Sequence, residues 1–497
     1  MRVEFSTMIK NKILNFINSD KDTPLLAGLI CGLYPLLYFY SNYFFSKNSL
    51  EQFATFFLLF VGVSVFVFTI SYFIFNRVPA LKKYKKHLLF VLIIIVVATF
   101  LSQIIYFKLM KKALVLIYIL AFLLSLKFYK SYKKLLVLVV LMCIFPFCKN
   151  VISLYDSFKP LSWQEQPDAI ENVVLTKTPN IYLIQPDGYV SKEILSQAPY
   201  NSESEIYNWL ETEGFKVYPD FRSNYPATLT SNASMFSMKH HYFGEYIFPS
   251  LEMLNARDVI SGENPVISIL DKNNYNTFLV VENEYFQHNN SNQKYDYRNI
   301  SLKEIPLFSH GGNVEKDVLV DLKEMMKIDA SNPKFFFVEK LMPHHVILYD
   351  DITDVEIERE WYLSRIKEAN LWLKKTINHI VIQDPDAIVI VIADHGGMLG
   401  LDNFTEKYNS IQNMNSIFSS LLAIKWNGNL VGDEDAKLKS NVNLFRVLFS
   451  VLSEDKTYLN NLEEDESYYL DNKNGIFRKP QQAIKSNGDY NLIKEGN

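Results

Sequence analysis

The sequence predicts two parts: an N-terminal α-helical transmembrane bundle of about five spans, and an α/β domain with a mostly parallel sheet. Three observations predict this. Long apolar stretches occupy the first third of the chain, the charge changes sign after them, and the remainder alternates β-rich runs with amphipathic helical stretches. With 49% hydrophobic residues in 497, the chain is not disordered and is long enough for more than one domain.

Five apolar stretches predict the bundle, because most of them approach the roughly 20 residues that a helix needs to cross the hydrocarbon of a bilayer. They are Pro24–Phe45, Phe53–Phe75, Leu88–Phe107, Ala113–Tyr129 and Leu135 to about Leu154. No Asp or Glu lies between Glu51 and Asp156. Ion-coupled transporters place carboxylates inside their helices, so this bundle is predicted to be an anchor or a lipid-facing platform.

The charge of the chain divides at the end of the bundle. Residues 1–150 carry 18 basic and four acidic residues, whereas the remainder has a net charge of −18. With the N-terminus inside, the inner loops hold 13 basic residues and the outer loops four, which favours this orientation. Five spans then place the chain after about residue 155 outside the cytoplasm. The acidic second part argues against nucleic acid as a partner, because neutralising phosphates needs a basic face.

From about Pro179 the pattern is typical of an α/β domain whose sheet is covered on both faces. The predicted strands are Asn180–Gln185, Phe215–Tyr218, Thr277–Glu282, Phe335–Lys340, Ala387–Ala393 and Leu421–Trp426. The predicted helical stretches between them include Glu203–Glu213, Pro265–Lys272, Val314–Ile328 and Glu356–Ile382. The predicted domains are 1–155 for five transmembrane helices, 156–178 for a linker, 179–465 for the α/β domain and 466–497 for a polar tail.

Two of these strands end in residues that can bind a metal ion. Asp187 follows the first strand in Gln-Pro-Asp-Gly, which is also favourable turn chemistry. Asp394 and His395 follow six apolar residues and precede two glycines. A carboxylate beside an imidazole at a strand tip suits a divalent ion, and in parallel sheets the chemistry collects at the carboxyl ends of strands.

Two further segments supply candidate residues for binding and moving an anionic group. Residues 222–234 lead from a strand into a helix start, where free N–H groups favour a phosphate or sulfate. Helix capping by Thr228, Thr230 or Ser231 is the competing explanation. Pro226 suits a first helical turn, which would leave Thr228 at the anion-facing end. His344 and His345 follow the strand Phe335–Lys340, where a histidine can act as a positive donor or a general acid.

Taken in order, Asp187, Thr228, Pro343-His344 and Asp394-His395-Gly396 resemble the sulfatase-like branch of the alkaline phosphatase superfamily. The layout is similar to its membrane-anchored members, lipoteichoic acid synthase and the lipid A phosphoethanolamine transferases. The motifs cover about residues 175–430, and the bundle matches in topology only. The resemblance implies a multi-pass protein of the bacterial inner membrane, with a sulfatase-like catalytic domain on the periplasmic or extracellular side.

The resemblance also implies a role for each residue. Asp187, Asp394 and His395 would hold one divalent ion, Zn²⁺ or Mn²⁺, together with the nucleophile Thr228, and His344 would bind the transferred phosphate group. His345 and Asn224 are weaker candidates for contacts with substrate. Two positions depart from the family pattern: lipoteichoic acid synthase has Glu where this chain has Asp187, and relatives tend to have His where this chain has Glu339.

The reaction that this implies moves a phospho-alcohol group, phosphoethanolamine or phosphoglycerol, from a phospholipid to an envelope glycan or lipid. Thr228 would carry the group covalently, and water as acceptor would make the same site a hydrolase. Type I sulfatases need a formylglycine made from Cys or Ser, and this chain has no cysteine after Cys148 and no Ser-x-Pro-x-Arg. Ordinary sulfatase chemistry is therefore disfavoured. An inactive envelope scaffold is the alternative from another functional class.

Overall fold

A computed structural model describes most of the chain, as two compact units, Met1–Phe158 and Lys159–Asn497. The described residues are 2–43, 50–244, 246–288, 292–306, 309, 311–329, 331–345, 354–401, 408–428, 430–471 and 478–492. The predicted end of the first span at Phe45 lies outside them.

The first unit is helical, as predicted. Its helices are α1 (Arg2–Asn18), α2 (Pro24–Asn42), α3 (Leu50–Phe57), α4 (Val63–Arg77), α5 (Lys85–Tyr106), α6 (Lys111–Phe128) and α7 (Tyr132–Ser157). A π-helical turn, Leu58–Gly62, joins α3 to α4. By length and composition, four continuous stretches among the described residues could cross a membrane: Pro24–Asn42, Glu51–Arg77, Lys82–Tyr106 and Lys111–Gln164. The last has 54 residues and contains both α6 and α7.

Contacts at the helix ends show that α6 and α7 cross the bundle separately. At one end, Asp22 before α2 accepts a hydrogen bond of 2.9 Å from Tyr72 near the end of α4. The ring of Tyr129, just after α6, stacks on His87 at the start of α5 with centroids 3.9 Å apart. At the other end, Asn150 of α7 donates to the carbonyl of Leu37 near the end of α2. α6 and α7 therefore run in opposite directions within the bundle, and the five membrane spans remain a prediction from the sequence.

The second unit is the predicted α/β domain. Its strands are β1 (Ile181–Pro186), β2 (Lys216–Val217), β3 (Asn276–Val281), β4 (Tyr297–Arg298), β5 (Lys334–Lys340), β6 (Ile388–Ile392), β7 (Leu422–Lys425), β8 (Ser467–Asp471) and β9 (Lys479–Ile484). Its helices are α8 (Lys192–Leu195), α9 (Ile206–Thr212), α10 (Thr228–Ser237), α11 (Ala256–Ser261), α12 (Pro265–Lys272), α13 (Val318–Met326), α14 (Val355–Gln383), α15 (Ile411–Phe418) and α16 (Leu444–Ser453). All six predicted strands are present, and no strand end is shifted by more than one residue.

Seven strands form one sheet in the order β2-β7-β6-β1-β5-β3-β4. Every pairing is parallel except those that β7 makes with β6 and β2, so the sheet is mostly parallel as predicted. Successive residues of a strand point to opposite faces, and both faces are buried. Leu183 packs on one face with residues of α10, α12 and α16, and Ile184 packs on the other with residues of α9 and α14.

The two flanking segments are structured parts of the second unit. In the predicted linker, Ile170, Val173 and Leu175 are buried in the core. In the predicted polar tail, β8 and β9 pair as an antiparallel hairpin, and the N–H of Tyr468 donates to the carbonyl of Asn224 at 2.9 Å. Residues 472–477 and 493–497 of this tail lie outside the described residues. The composition predicted a polar tail, but it did not predict that two strands pair within it.

Candidate active site

The predicted candidates meet at one edge of the sheet because β6, β1 and β5 are neighbours. Asp394 and His395 follow β6, Asp187 follows β1, and His344 lies four residues after β5. Parallel strands end at the same edge, so residues that are distant in sequence come together there. The sequence-based expectation about strand ends is confirmed for these residues.

Asp187, Asp394 and His395 form a buried group that can hold a divalent metal ion. One ligand atom from each lies within 4.8 Å of the others, and none of the three is more than 1% exposed. His395 Nε2 lies 3.5 Å from Asp187 Oδ1 and 3.3 Å from Asp394 Oδ2. His395 Nδ1 lies 2.8 Å from the carbonyl oxygen of Gly396, which can only accept. We therefore assign the proton to Nδ1, so that the Nε2 lone pair faces the two carboxylates.

The hydrogen bonds of the two carboxylates leave one oxygen of each for a ligand. Asp187 Oδ2 pairs with His344 Nδ1, and Asp394 Oδ1 accepts from the N–H of Gly188 at 3.1 Å. Asp187 Oδ1 and Asp394 Oδ2 are buried and have no hydrogen-bond partner among the described residues. A buried polar atom without a partner is costly, and a cation removes that cost. Two oxygens and one imidazole nitrogen are a donor set that fits Zn²⁺ or Mn²⁺.

The pKa values of the two carboxyl groups shift in opposite directions. Burial and the nearby Asp187 raise the pKa of Asp394 to about 6, against the opposing effect of His395. Burial also opposes ionisation of Asp187, but the imidazole of His344 outweighs it and lowers the pKa of Asp187 below its ordinary value. The pKa of His344 is raised: burial would lower it, and the carboxylate of Asp187 prevails. The buried carboxylate of Asp187 and the partly exposed imidazolium of His344 therefore form an ion pair at the edge of the site.

Thr228 is the hydroxyl residue of its segment that faces this group. It is the first residue of α10, is half-buried, and places Oγ1 3.3 Å from His395 Nε2. The preceding residue, Ala227, has no side-chain oxygen with which to cap the N–H groups of the first turn. Those N–H groups and the helix dipole favour an anion at this end of α10. Pro226 lies before the helix rather than in its first turn.

The three other hydroxyl groups considered as the nucleophile are buried and donate hydrogen bonds to backbone carbonyls. Thr230 donates to the carbonyl of Ala227 at 3.0 Å, and Ser234 donates to the carbonyl of Ser231 at 3.0 Å. Ser231 donates to the carbonyl of Asp394 at 2.6 Å. All three are fully buried, which leaves Thr228 as the candidate nucleophile among the four.

The two histidines after β5 lie beside the group. His344 has a left-handed backbone conformation (φ 62°), and its N–H donates to the carbonyl of Asp187 at 2.8 Å. A Cβ on Gly188 would lie 3.2 Å from the backbone nitrogen of His345, so the absence of a side chain at Gly188 permits this approach. The His345 ring lies 4.3 Å from the His344 ring and 5.6 Å from the His395 ring. His345, half-exposed, is therefore within reach of a bound anion.

Asn224 does not lie at this site. Its Nδ2 donates to the carbonyl of Glu466 at 2.8 Å, and its Oδ1 accepts from the N–H of Val442 at 2.8 Å. The side chain is fully buried and holds β8 and the segment before α16 together. The expectation that Asn224 contacts substrate is replaced by this structural role.

Sequence reasoning missed the residues that orient the ligands. Asn441 Nδ2 donates to the carbonyl of Asp394 at 3.2 Å and to Ser231 Oγ at 3.0 Å. The hydroxyl of Tyr362, on α14, donates to the carbonyl of Gly188 at 2.8 Å and accepts from the N–H of Val190. Neither residue stands near a motif in the sequence. Tyr362 would have been found only by knowing that α14 packs over the end of β1.

Glu339 is a buried carboxyl group near the site without a hydrogen-bond partner among the described residues. It is fully buried on β5, opposite Gln185 of β1, whose amide atoms also lack described partners. Burial, with further contributions from Asp187 and Asp394, raises the pKa of Glu339 well above its ordinary value. We infer that Glu339 is uncharged at neutral pH in the metal-free protein.

Glu339→Gln is expected to stabilise the metal-free protein at pH 8 but not at pH 4.5. The pKa of Glu339 is higher in the folded protein than in the unfolded chain, where it is about 4.3. Below that pH Glu339 is protonated in both states and costs no stability, whereas the free energy of unfolding falls as the pH rises above it. Glutamine has the same shape and does not ionise. The measurement is the thermal unfolding midpoint with a chelator at both pH values, with exposed Glu368→Gln as the control. A variant midpoint at pH 8 at or below that of the parent would contradict a neutral buried Glu339.

No protein-family model matches the chain, and no curated protein matches it either. Among solved structures, the chain is similar to the integral membrane protein lipooligosaccharide phosphoethanolamine transferase A from Neisseria meningitidis. The identity is 12% and the TM-score 0.41, over 87% of this chain and 96% of that one. The periplasmic domain of phosphoethanolamine transferase EptC from Campylobacter jejuni matches at 14% identity and a TM-score of 0.38, over 58% of this chain and 93% of that one.

A protein from Bacteroides fragilis described as a sulfatase also matches, at 13% identity and a TM-score of 0.40, over 62% of this chain and 83% of that one. Phosphoethanolamine transferases and sulfatases are also the kinds of protein that the ordered motifs of the sequence resemble.

Proposed function

We propose that this protein is a membrane-anchored, metal-dependent phosphotransferase that moves phosphoethanolamine or phosphoglycerol from a phospholipid to an envelope glycan or lipid. The observation that carries the proposal is the position of Thr228. Its hydroxyl stands at the N-terminus of α10, 3.3 Å from an imidazole in a buried Asp-Asp-His group. A nucleophile, a cation site and an anion-binding helix end are what transfer of a phospho-group needs in one place.

The residues that would hold the ion are Asp187, Asp394, His395 and Thr228. A divalent ion, Zn²⁺ or Mn²⁺, would favour ionisation of the threonine hydroxyl and offset charge on the phospho-group. The proton on His395 Nδ1, held by the Gly396 carbonyl, keeps Nε2 available as a ligand. The opening of α10 supplies N–H groups to the oxygens of the phosphate.

The proposed cycle has two displacements at phosphorus. In the first, Thr228 Oγ, already ionised, forms a bond to phosphorus while the bond from phosphorus to the diacylglycerol oxygen breaks, and that leaving oxygen takes a proton from His344. In the second, the acceptor hydroxyl gives its proton to His344 and bonds to phosphorus, and the bond from phosphorus to Thr228 breaks, which restores the ionised Oγ. His344 Nδ1 pairs with Asp187, and the half-exposed ring can present its other nitrogen to a substrate, which supports the role of proton donor.

This role of His344 predicts how the first displacement depends on pH. His344 must be protonated to donate, so the rate of diacylglycerol release is expected to fall as the pH rises through the pKa of His344. His344→Gln should lower the rate and remove that alkaline limb. The measurement is single-turnover diacylglycerol release between pH 6 and pH 9. An unchanged alkaline limb in His344→Gln would assign the titrating group to another residue.

We further propose that the second unit lies on the periplasmic or extracellular side of a bacterial inner membrane. The 13-to-four bias of basic loop residues and the five spans predicted from the sequence support this orientation. Alkaline phosphatase fused after Asp156 is therefore expected to be active, and fused within residues 77–87 to be inactive. The opposite pattern would place the second unit in the cytoplasm and exclude a donor from the outer leaflet.

The reaction itself is tested with the purified full chain and a metal ion. We expect diacylglycerol release from phosphatidylethanolamine or phosphatidylglycerol, and loss of that release with a chelator. Release that needs no carbohydrate or lipid acceptor, with a free phospho-alcohol as product, would make the protein a hydrolase. No release from any phospholipid, together with unchanged envelope composition in an Asp394→Asn strain, would favour the scaffold alternative.

A further inference from the structure

A mostly apolar groove of about 780 Å³ lies in the second unit, apart from the metal-ligating group. Three segments line it: residues 159–163 after the bundle, six residues between His241 and Pro249 after α10, and residues 478–480 at the start of β9. Its lining shares no residue with the group formed by Asp187, Asp394 and His395. The sequence assigned no function to any of these segments.

The charge of the groove is opposite to that of its surroundings. Residues 159–497 contain 32 basic and 49 acidic residues, a net charge of −17. Among the described residues that line the groove, three are basic and none is acidic: Lys159, Arg478 and Lys479. Clustering of cations in an acidic unit indicates an anionic ligand. Phosphate groups are bound by such clusters of Arg and Lys.

The remaining lining residues suit the uncharged part of an amphiphile. Trp163, Tyr242 and Tyr246 supply aromatic surface, and Ile247 and Pro249 supply aliphatic surface. Tyr242 and Ile247 remain 45% and 47% exposed, so the apolar surface is accessible. Aromatic and basic side chains together are the composition that proteins use at the head-group level of a bilayer.

The first of the three lining segments follows directly after the last apolar helix in the chain. Lys159 lies two residues beyond Ser157, the last residue of α7, and two residues of chain span at most about 7 Å. The end of a membrane-crossing helix lies in the interfacial region. Phospholipid head groups are therefore the anionic amphiphiles that surround this part of the chain.

We propose that this groove binds a membrane phospholipid, with its phosphate against Lys159, Arg478 and Lys479 and its glycerol and upper acyl chains against Trp163 and Ile247. The groove also touches the helix that begins with Thr228. The ring of Trp163 packs on His241 with centroids 5.5 Å apart, and His241 Nε2 bonds to the carbonyl of Thr230 at 2.8 Å. Lipid binding here needs neither the metal ligands nor the reaction proposed for Thr228.

Site-specific photocrosslinking of the full chain in native membranes tests this proposal. A benzophenone amino acid replaces Ile247 in the groove or, as a matched control, Ile411, which is also 47% exposed and lies outside it. Mass spectrometry of the irradiated protein should find phospholipid adducts at position 247 and few at position 411. Equal labelling at both positions, or a protein adduct at 247, would overturn the proposal.

Charge reversal shows whether the basic residues hold the lipid. Arg478→Glu with Lys479→Glu is expected to lower the yield of lipid adduct at position 247 about tenfold, and Lys159→Glu, on another segment, should also lower it. Reversal of the exposed pair Lys437 and Lys439 is the control for net charge and should leave the yield unchanged. Asp394→Asn should also leave it unchanged, because this groove is separate from the metal group. An undiminished yield of lipid adduct in both groove variants would contradict the proposal that these basic residues bind the lipid phosphate.

Discussion

Thr228→Ala is expected to abolish turnover, lowering it by at least about a thousandfold, while leaving the fold and much of the metal binding intact. The methyl group that remains cannot bond to phosphorus. The nearby hydroxyl groups of Thr230, Ser231 and Ser234 cannot replace it, since each is buried and donates to a carbonyl oxygen. The measurement is the initial rate of diacylglycerol release, with metal content determined on the same preparation.

Two control variants separate loss of the nucleophile from damage to the helix. Thr228→Ser retains a hydroxyl group at the start of α10 and should keep partial activity. Thr230→Ala removes a bond to the carbonyl of Ala227 but no group that faces the metal ligands, and should lower turnover little. A fully active Thr228→Ala enzyme would exclude a covalent intermediate at this residue, whatever the controls show.

Removal of one metal ligand is the second change for which a large effect is expected. Asp394→Asn or His395→Ala should weaken binding of Zn²⁺ or Mn²⁺ by a factor of about 100 or more, because the remaining donors cannot complete the coordination shell. Both side chains are fully buried, so no solvent-exposed group can substitute for them. Metal content by mass spectrometry and affinity by competition with a chelator measure the loss.

The matched control for the ligand variants is Asp384→Asn. Asp384 accepts hydrogen bonds from Asn180 and Tyr182 at the amino end of β1, away from the metal group. Its replacement should therefore leave metal content unchanged. Full metal occupancy in His395→Ala would refute the proposed ligand set.

The sheet and the helices could be predicted because their signals are local. Continuous apolar runs such as Ile388–Ile392 are buried on both faces of a parallel sheet, and their sequence already shows it. Strands that depend on distant partners were missed. The two residues of β4 form a strand only because β3 lies beside them, and β8 and β9 pair in a segment whose composition is polar.

Site residues that directly follow a strand could be predicted from the sequence. Site residues whose position depends on tertiary packing could not. Asp187, Asp394 and His395 were found because parallel strands end at one edge. Asn224 was misjudged because a hairpin more than 240 residues later in the chain binds its side chain, and no local pattern reveals this. Asn441 and Tyr362 come from elements without any motif. Their roles follow only from the positions of the backbone carbonyls that they bind.

The central claim, that Thr228 carries a phospho-group taken from a membrane lipid, is tested most directly by mass spectrometry of the protein itself. The full chain is incubated with metal ion and phosphatidylethanolamine or phosphatidylglycerol, without an acceptor, then quenched and digested. We predict a phosphoethanolamine or phosphoglycerol adduct on Thr228, formed with release of diacylglycerol and absent from Thr228→Ala and Asp394→Asn. Diacylglycerol release with an unmodified Thr228, or an adduct on a different residue, would contradict the covalent mechanism at this site.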